Sequence, residues 1–182
     1  DEVGRGPWAG PVTACAVILR GPAPPGLDDS KRLSPARRIA LVPLLHECCD
    51  FAFGEASVAE IDALNIRRAT HLAMRRAVET LDPPPDHLLI DGTDRPDWVT
   101  GAVDMIRGGD GRSQSIAAAS VLAKTRRDQA MVALAQQFPG YGWERNAGYG
   151  TAAHRAGLET HGVTPHHRRS FAPIHKMLIP SV

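Results

Sequence analysis

The sequence predicts an α/β domain of three layers, a mixed β-sheet flanked by helices. Short apolar runs of strand length alternate with helix-period segments; serines stand where the helices should start; and acids stand where strands end. A chain of 182 residues fits one domain and can bury most of its apolar surface without disulfides. Apolar residues make up 43% and charged residues 23%, with no bilayer-length apolar run and no signal-peptide pattern. A cytoplasmic monomer with no membrane partner is the expectation.

Taken in order, "PVTACAVIL" from Pro11 reads as a buried strand. Ser34 before Pro35 marks a helix start, serine as cap and proline at the first helical position, and Pro43 should kink or end that helix early. "FAFGEAS" from Phe51 is a strand, and Ser57 with Glu60 is a capping-box signal for a helix beginning there. A long helix runs through "NIRRATHLAMRRAVETL", with Ile66, Ala73, Met74, Ala77 and Leu81 on one side and Arg68, Arg75, Arg76 and Glu79 on a solvated face. "HLLID" is a strand ending at Asp91, "AVDMIRG" a second strand, and "SQSIAAASVLAKTRRDQAMVALAQQF" a long helix. "GYGWERNAGYGT" reads as glycine-broken loop, and "AAHRAGLETHG" as a short helix closed by Gly162.

Cys15, Cys48 and Cys49 give no disulfide framework, and the eight histidines lack zinc-finger spacing. The net charge of +1 conceals basic clusters, "RRATHLAMRR", "KTRRD" and "HHRRSF", that bear on an anionic partner.

Ligands of open α/β sheets gather outside the carboxyl ends of strands. Asp91 closes one strand, Asp110 follows the next in "RGGD", and Asp1 and Glu2 precede a glycine turn where a first strand should end. That strand would need apolar residues before Asp1, so the chain is expected to lack its first strand. An acid directly after the apolar "LLI" is costly unless paired or metal-bound. Oxygen-only donors suit a hard cation, magnesium or manganese. Asp128 competes with Asp110 as the fourth acid. About fifteen residues into its helix, it lies roughly 22 Å from the helix start and is better paired with Lys124 or Arg127. In "GRG", Gly4 and Gly6 let a ligand approach the backbone, with Arg5 near for a phosphate.

These stretches, with "LDDSKRLS", "SIAAASVLAKTRRD", "PGYGW", "GYGT" and "HHRRSFAP", run end to end in an order that resembles bacterial ribonuclease HII, of the ribonuclease H superfamily. The resemblance implies a ribonuclease H-like fold with a C-terminal helical segment, the stretch from about 140 to 182 contacting substrate. It implies an endonuclease that cuts the RNA strand of RNA–DNA hybrids and nicks duplex DNA 5′ to an embedded ribonucleotide, leaving 3′-hydroxyl and 5′-phosphate ends, for ribonucleotide and RNA-primer removal. Asp1, Glu2, Asp91 and Asp110 match its metal-binding acids; Gly4, Arg5 and Gly6 match the segment that contacts the 2′-hydroxyl; Tyr149 matches the tyrosine on the adjoining sugar; Lys31 resembles a phosphate-contacting lysine. Asn146-Ala147 stands where the family carries a basic or His-Lys pair, and Trp8 where a smaller aliphatic is common. Ribonuclease HIII, a non-catalytic nucleic-acid module and a small-molecule phosphohydrolase are the rival readings.

Overall fold

The computed structural model describes residues 1–179. Its central element is β2 (Val12–Leu19), paired antiparallel along its whole length with β3 (Cys49–Ala56), Val12 opposite Ala56 and Leu19 opposite Cys49. On the other edge β1 (Glu2–Val3) pairs antiparallel with the start of β2, Glu2 opposite Ala14. β4 (His87–Asp91) and β5 (Ala102–Ile106) form a parallel pair, Asp91 opposite Ile106. The continuous apolar run of β2 follows from helices on both its faces, since a strand covered twice has no polar side to alternate. Val12 and Ala14 pack with Ala69, Ala73, Met74 and Ala77 in one core, and Cys15 packs with Leu41, Leu45, Ala118 and Leu122 in the other.

One covering layer is α3 (Ile66–Thr80); the other joins α1 (Pro35–Cys48) and α4 (Gln114–Gln137). Gly54 sets how close α3 lies to the sheet, because a Cβ there would overlap the Ala73 carbonyl oxygen of that helix. Ser34, Ser57 and Ser113 each accept a backbone N–H at their helix starts, and Ser57 with Glu60 completes a reciprocal capping box on α2 (Val58–Leu64). Arg76 grips the same glutamate and, with the cap, holds its carboxyl well down, at about 2.

Pro43 does not end α1, which continues to Cys48. Its missing N–H frees the carbonyl of Ile39, and both residues lie on the exposed side, where water can satisfy that oxygen. The helical stretch after Ser57 is two helices, broken at Asn65 (φ 69°), whose side chain accepts from the N–H groups of Arg67 and Arg68 and starts α3 afresh. The segment after Phe138, expected to be loop as far as Thr151, contains α5 (Trp143–Asn146). Beyond it lie α6 (Ala152–His161), ended at Gly162, and α7 (Ala172–Leu178), with Pro173 in its first turn and His175 and Lys176 in its last. A third apolar cluster of Ala9, Met131, Tyr141, Trp143, Leu158 and Ile174 packs this C-terminal segment against the first turn of the chain. No described helix is long and apolar enough to cross a membrane.

Candidate active site

Asp91 is the last residue of β4, and its Oδ1 accepts the N–H of Gly109 at 2.7 Å. That contact draws the short 3-10 turn Gly109–Gly111 under the strand end and delivers Asp110, whose Oδ1 accepts the N–H of Gly111 at 3.1 Å. Asp1 joins from the ladder, its carbonyl accepting from the N–H of Cys15 at 2.9 Å and its Oδ1 from the N–H of Glu2 at 2.6 Å. Carboxylate oxygens of Asp1, Asp91 and Asp110 lie within 4.8 Å of one another.

Three like charges at that separation repel unless a cation intervenes. Lys31 supplies part of the compensation, its Nζ 3.1 Å from Asp110 Oδ2. That hydrogen bond is the main reason the lysine's pKa lies above its ordinary value. The ammonium remains largely in solvent while the carboxylate is buried, so the pair is a weak one. Glu2 stands beside the trio rather than within it. Its Oε1 receives Arg5 Nη1 at 3.3 Å, whereas its Oε2 is buried without any hydrogen-bond partner. A buried, unsatisfied carboxylate oxygen next to three clustered carboxylates is the donor set a hard divalent cation takes, and the residues fit such an ion.

Asp128 lies away from this cluster. It pairs with Lys124 Nζ at 2.6 Å, as the sequence suggested, and with Arg38 Nη2 at 3.3 Å. Its other suggested partner, Arg127, instead turns into the core. Arg38 also donates to the carbonyls of Ser30 and Leu33, and Ser120 donates to Ser30, which together hold the loop that presents Lys31.

A second group lies beside the acids. Gly4 (φ 92°) has a left-handed conformation, and a Cβ on it would overlap the Arg127 guanidinium, so the turn requires glycine there. At Gly6 a Cβ would meet Tyr149 Cε1 at 3.3 Å, which sets that ring, 48% exposed, against the turn. Arg168 donates to the carbonyls of Arg5 at 2.9 Å, Gly4 at 2.6 Å and Gly10 at 2.8 Å. Arg127 donates to Pro11 at 2.9 Å, Ala147 at 2.9 Å and Ala9 at 3.1 Å. Burial lowers both guanidiniums, Arg127 to about 10 and Arg168 to about 9. Asn146 spends its side chain inside the loop, donating to Tyr141 and Thr151 and accepting from the Gly148 N–H. Trp8 lies 5.6 Å from the ring of His154, with Arg155 over its face.

Most cations of the three basic clusters are held by partners within the protein, whereas Arg68 and Arg169 are exposed and form no ion pair among the described residues. Arg67, Arg75 and Arg76 are ion-paired with Asp94, Glu79 and Glu60. Arg126 pairs with Glu55, and Arg127, His167 and Arg168 are fully buried. Composition alone could not separate them from exposed cations, because the carbonyls that Arg127 and Arg168 hold in the first turn are distant in the sequence.

Residues 1–174 match the family model for Ribonuclease HII. The Ribonuclease HII of Ruegeria pomeroyi is 61% identical over 179 residues, covering 98% of this chain and 76% of that one. Among solved structures, ribonuclease H2 from Pyrococcus horikoshii superposes with a TM-score of 0.82 at 24% identity, over 97% of this chain and 94% of the other. Bst-RNase HIII in complex with Mn2+ superposes with a TM-score of 0.73 at 20% identity, over 98% of this chain and 67% of that one. The two structural likenesses speak for a ribonuclease H-like fold.

Proposed function

The chain belongs to the ribonuclease HII family, and we propose that it cuts the RNA strand of RNA–DNA hybrids and nicks duplex DNA 5′ to embedded ribonucleotides, leaving 3′-hydroxyl and 5′-phosphate ends. The family assignment makes the protein a ribonuclease H endoribonuclease, which removes the non-catalytic and small-molecule readings. The observation that carries the finer proposal is the adjacency of two groups: carboxylates of Asp1, Asp91 and Asp110 within 4.8 Å of one another, and a turn at Gly4 to Gly6 against the Tyr149 ring.

Asp1, Glu2, Asp91 and Asp110 would hold the divalent metal, magnesium or manganese. When bound, a pair of such ions lowers the pKa of a water and neutralises charge on the attacking and leaving oxygens. Lys31 balances Asp110 and offers its exposed Nζ to a phosphate. Arg5, half in solvent, offers a second cation beside Glu2. Arg168 occupies the Gly4 and Arg5 carbonyls from the buried side. Among the described residues the N–H groups of Arg5 and Gly6 have no protein partner, and donors so placed can read a 2′-hydroxyl, the group that separates RNA from DNA. The exposed Tyr149 ring gives the adjoining sugar a flat apolar seat.

The role follows from the product: a nick beside a ribonucleotide begins its removal from DNA, and the same chemistry removes RNA primers, work for a monomer in the cytoplasm. The test is a DNA duplex with one ribonucleotide, incubated with and without magnesium. A metal-dependent cut on the 5′ side of the ribonucleotide is expected; cutting of an all-DNA duplex at the same rate would overturn the reading.

A further inference from the structure

Beneath the Tyr149 loop two histidines, both fully buried, meet ring to ring, His154 Nε2 lying 3.0 Å from His167 Nε2. Their surroundings allow only one arrangement of protons. The indole of Trp143 can only donate, and its Nε1–H points at His154 Nε2 at 3.1 Å. The N–H of Thr164 can only donate, and it points at His167 Nδ1 at 2.9 Å. His167 therefore carries its proton on Nε2 and donates to His154, and His154 carries its proton on Nδ1 and donates to the Tyr149 carbonyl at 3.0 Å.

We propose that His154, kept in its Nδ1–H form by His167 and Trp143, is a positioning residue for Tyr149, fixing the carbonyl of that residue and with it the seat of the exposed ring against Gly6. This rests on the role given to Tyr149 under the proposed function. The chain of hydrogen bonds works only while both rings are neutral. A proton on His154 Nε2 would face two N–H donors, and one on His167 Nδ1 would face the Thr164 N–H. The surroundings oppose protonation too: the rings of Trp8, Tyr141 and Trp143 keep water from a charged imidazole, and His166 stands beside His167. Among the described residues no carboxylate pairs with or hydrogen-bonds to either imidazole. Burial accordingly pushes His167 down to about 4 and lowers His154.

The experiment uses His154→Phe, which keeps a ring without a donor, and His154→Asn, whose amide N–H can stand where Nδ1–H stood. In the wild type, nitrogen spectra of labelled histidine at pH 7 should show the Nδ1–H form for His154 and the Nε2–H form for His167; the opposite tautomer at His154 overturns the proposal even if neither variant folds. Amide exchange at residues 148 to 151 should quicken about tenfold or more in the Phe variant and stay within roughly threefold in the Asn variant. Unchanged exchange in the Phe variant overturns it as well. Cleavage at a single ribonucleotide should fall about tenfold with His154→Phe, and by less than about twofold when Tyr149→Ala is already present. If exchange quickens but Tyr149→Ala itself cleaves normally, the positioning stands and the role given to Tyr149 falls.

Discussion

Asp91 and Asp110 reach their places through single backbone hydrogen bonds at the end of a strand and in a short turn, with Asp91 partly in solvent. Gly4, Arg5 and the Tyr149 loop are held differently, from beneath, by two guanidiniums and two imidazoles with no exposed surface. The acids gather negative charge at an accessible place, and little protein is spent on keeping them apart. The turn and loop proposed as the recognition face have the carbonyls of Gly4, Arg5, Ala147 and Tyr149 tied to buried donors. A site that must accept cations can leave electrostatic strain for the ligand to relieve, whereas a surface that must sense one hydroxyl has to be rigid before the ligand arrives.

The two regions part most sharply at Asp91. Asp91→Asn keeps the shape and removes the charge, and cleavage should fall about a thousandfold or more, on the order of 4 kcal/mol of barrier, while the melting temperature barely moves. Duplex binding without metal should persist. Wild-type turnover would show that the acid cluster is not where the ion sits.

Arg168→Met should do the reverse, damaging stability first. It strips the donors from the carbonyls of Gly4, Arg5 and Gly10, and unsatisfied buried carbonyls at about 1 kcal/mol or more each predict a loss of roughly 3 to 4 kcal/mol by denaturant unfolding. Part of that loss is offset because a buried cation disappears with them. An unchanged midpoint would mean the guanidinium is not a brace.

Acid separates the two regions further. With His167 lowered to about 4, the unfolded chain takes up a proton below pH ~6.5 that the folded chain refuses. Stability is therefore expected to be full above pH ~6.5 and to decline as pH falls toward about 4, by up to about 3 kcal/mol from this residue. His167→Gln should flatten that slope, and an equal slope in the variant would move the cause elsewhere. Smaller still is Tyr149→Ala, about tenfold in single-ribonucleotide cleavage, or ~1.4 kcal/mol, with folding nearly unchanged because the ring lies half in solvent.

The same division explains what could be seen in the sequence. β2, β4, α1 and α4 announce themselves by apolar period and serine caps, and Asp91 by its place after "LLI". Each of these signals is local. Arg127 and Arg168 are not legible that way, because a guanidinium most of whose partners are carbonyls more than a hundred residues distant looks in sequence like any surface arginine. Asn65, where the run after Ser57 breaks, is hidden for a related reason: nothing in its neighbours demands a positive φ. Pro43 misleads in the other direction, since the cost of a mid-helix proline depends on whether the freed carbonyl faces water, and that is a tertiary fact.

Asp128 tests the contrast from its weakest side. It is an acid on the same long helix that packs under the site, and it shares its residue type with the metal candidates, yet its two oxygens are spoken for by Lys124 and Arg38. Asp128→Asn should leave metal affinity where it was. What it loosens is Arg38, and through Arg38 the Ser30 and Leu33 carbonyls that hold the Lys31 loop. The pair with Lys124 is a partly exposed i,i+4 contact, and the buried Arg38 keeps its Ser30 and Leu33 carbonyls, so the expected loss of stability is small, about 1 to 2 kcal/mol. Any fall in cleavage should follow that small loss of stability, vanish when the assay is cooled, and leave the magnesium dependence unshifted. A raised magnesium requirement in Asp128→Asn with an unchanged melting temperature would place Asp128 among the ligands and Asp110 in the role of a loop acid tied to Lys31.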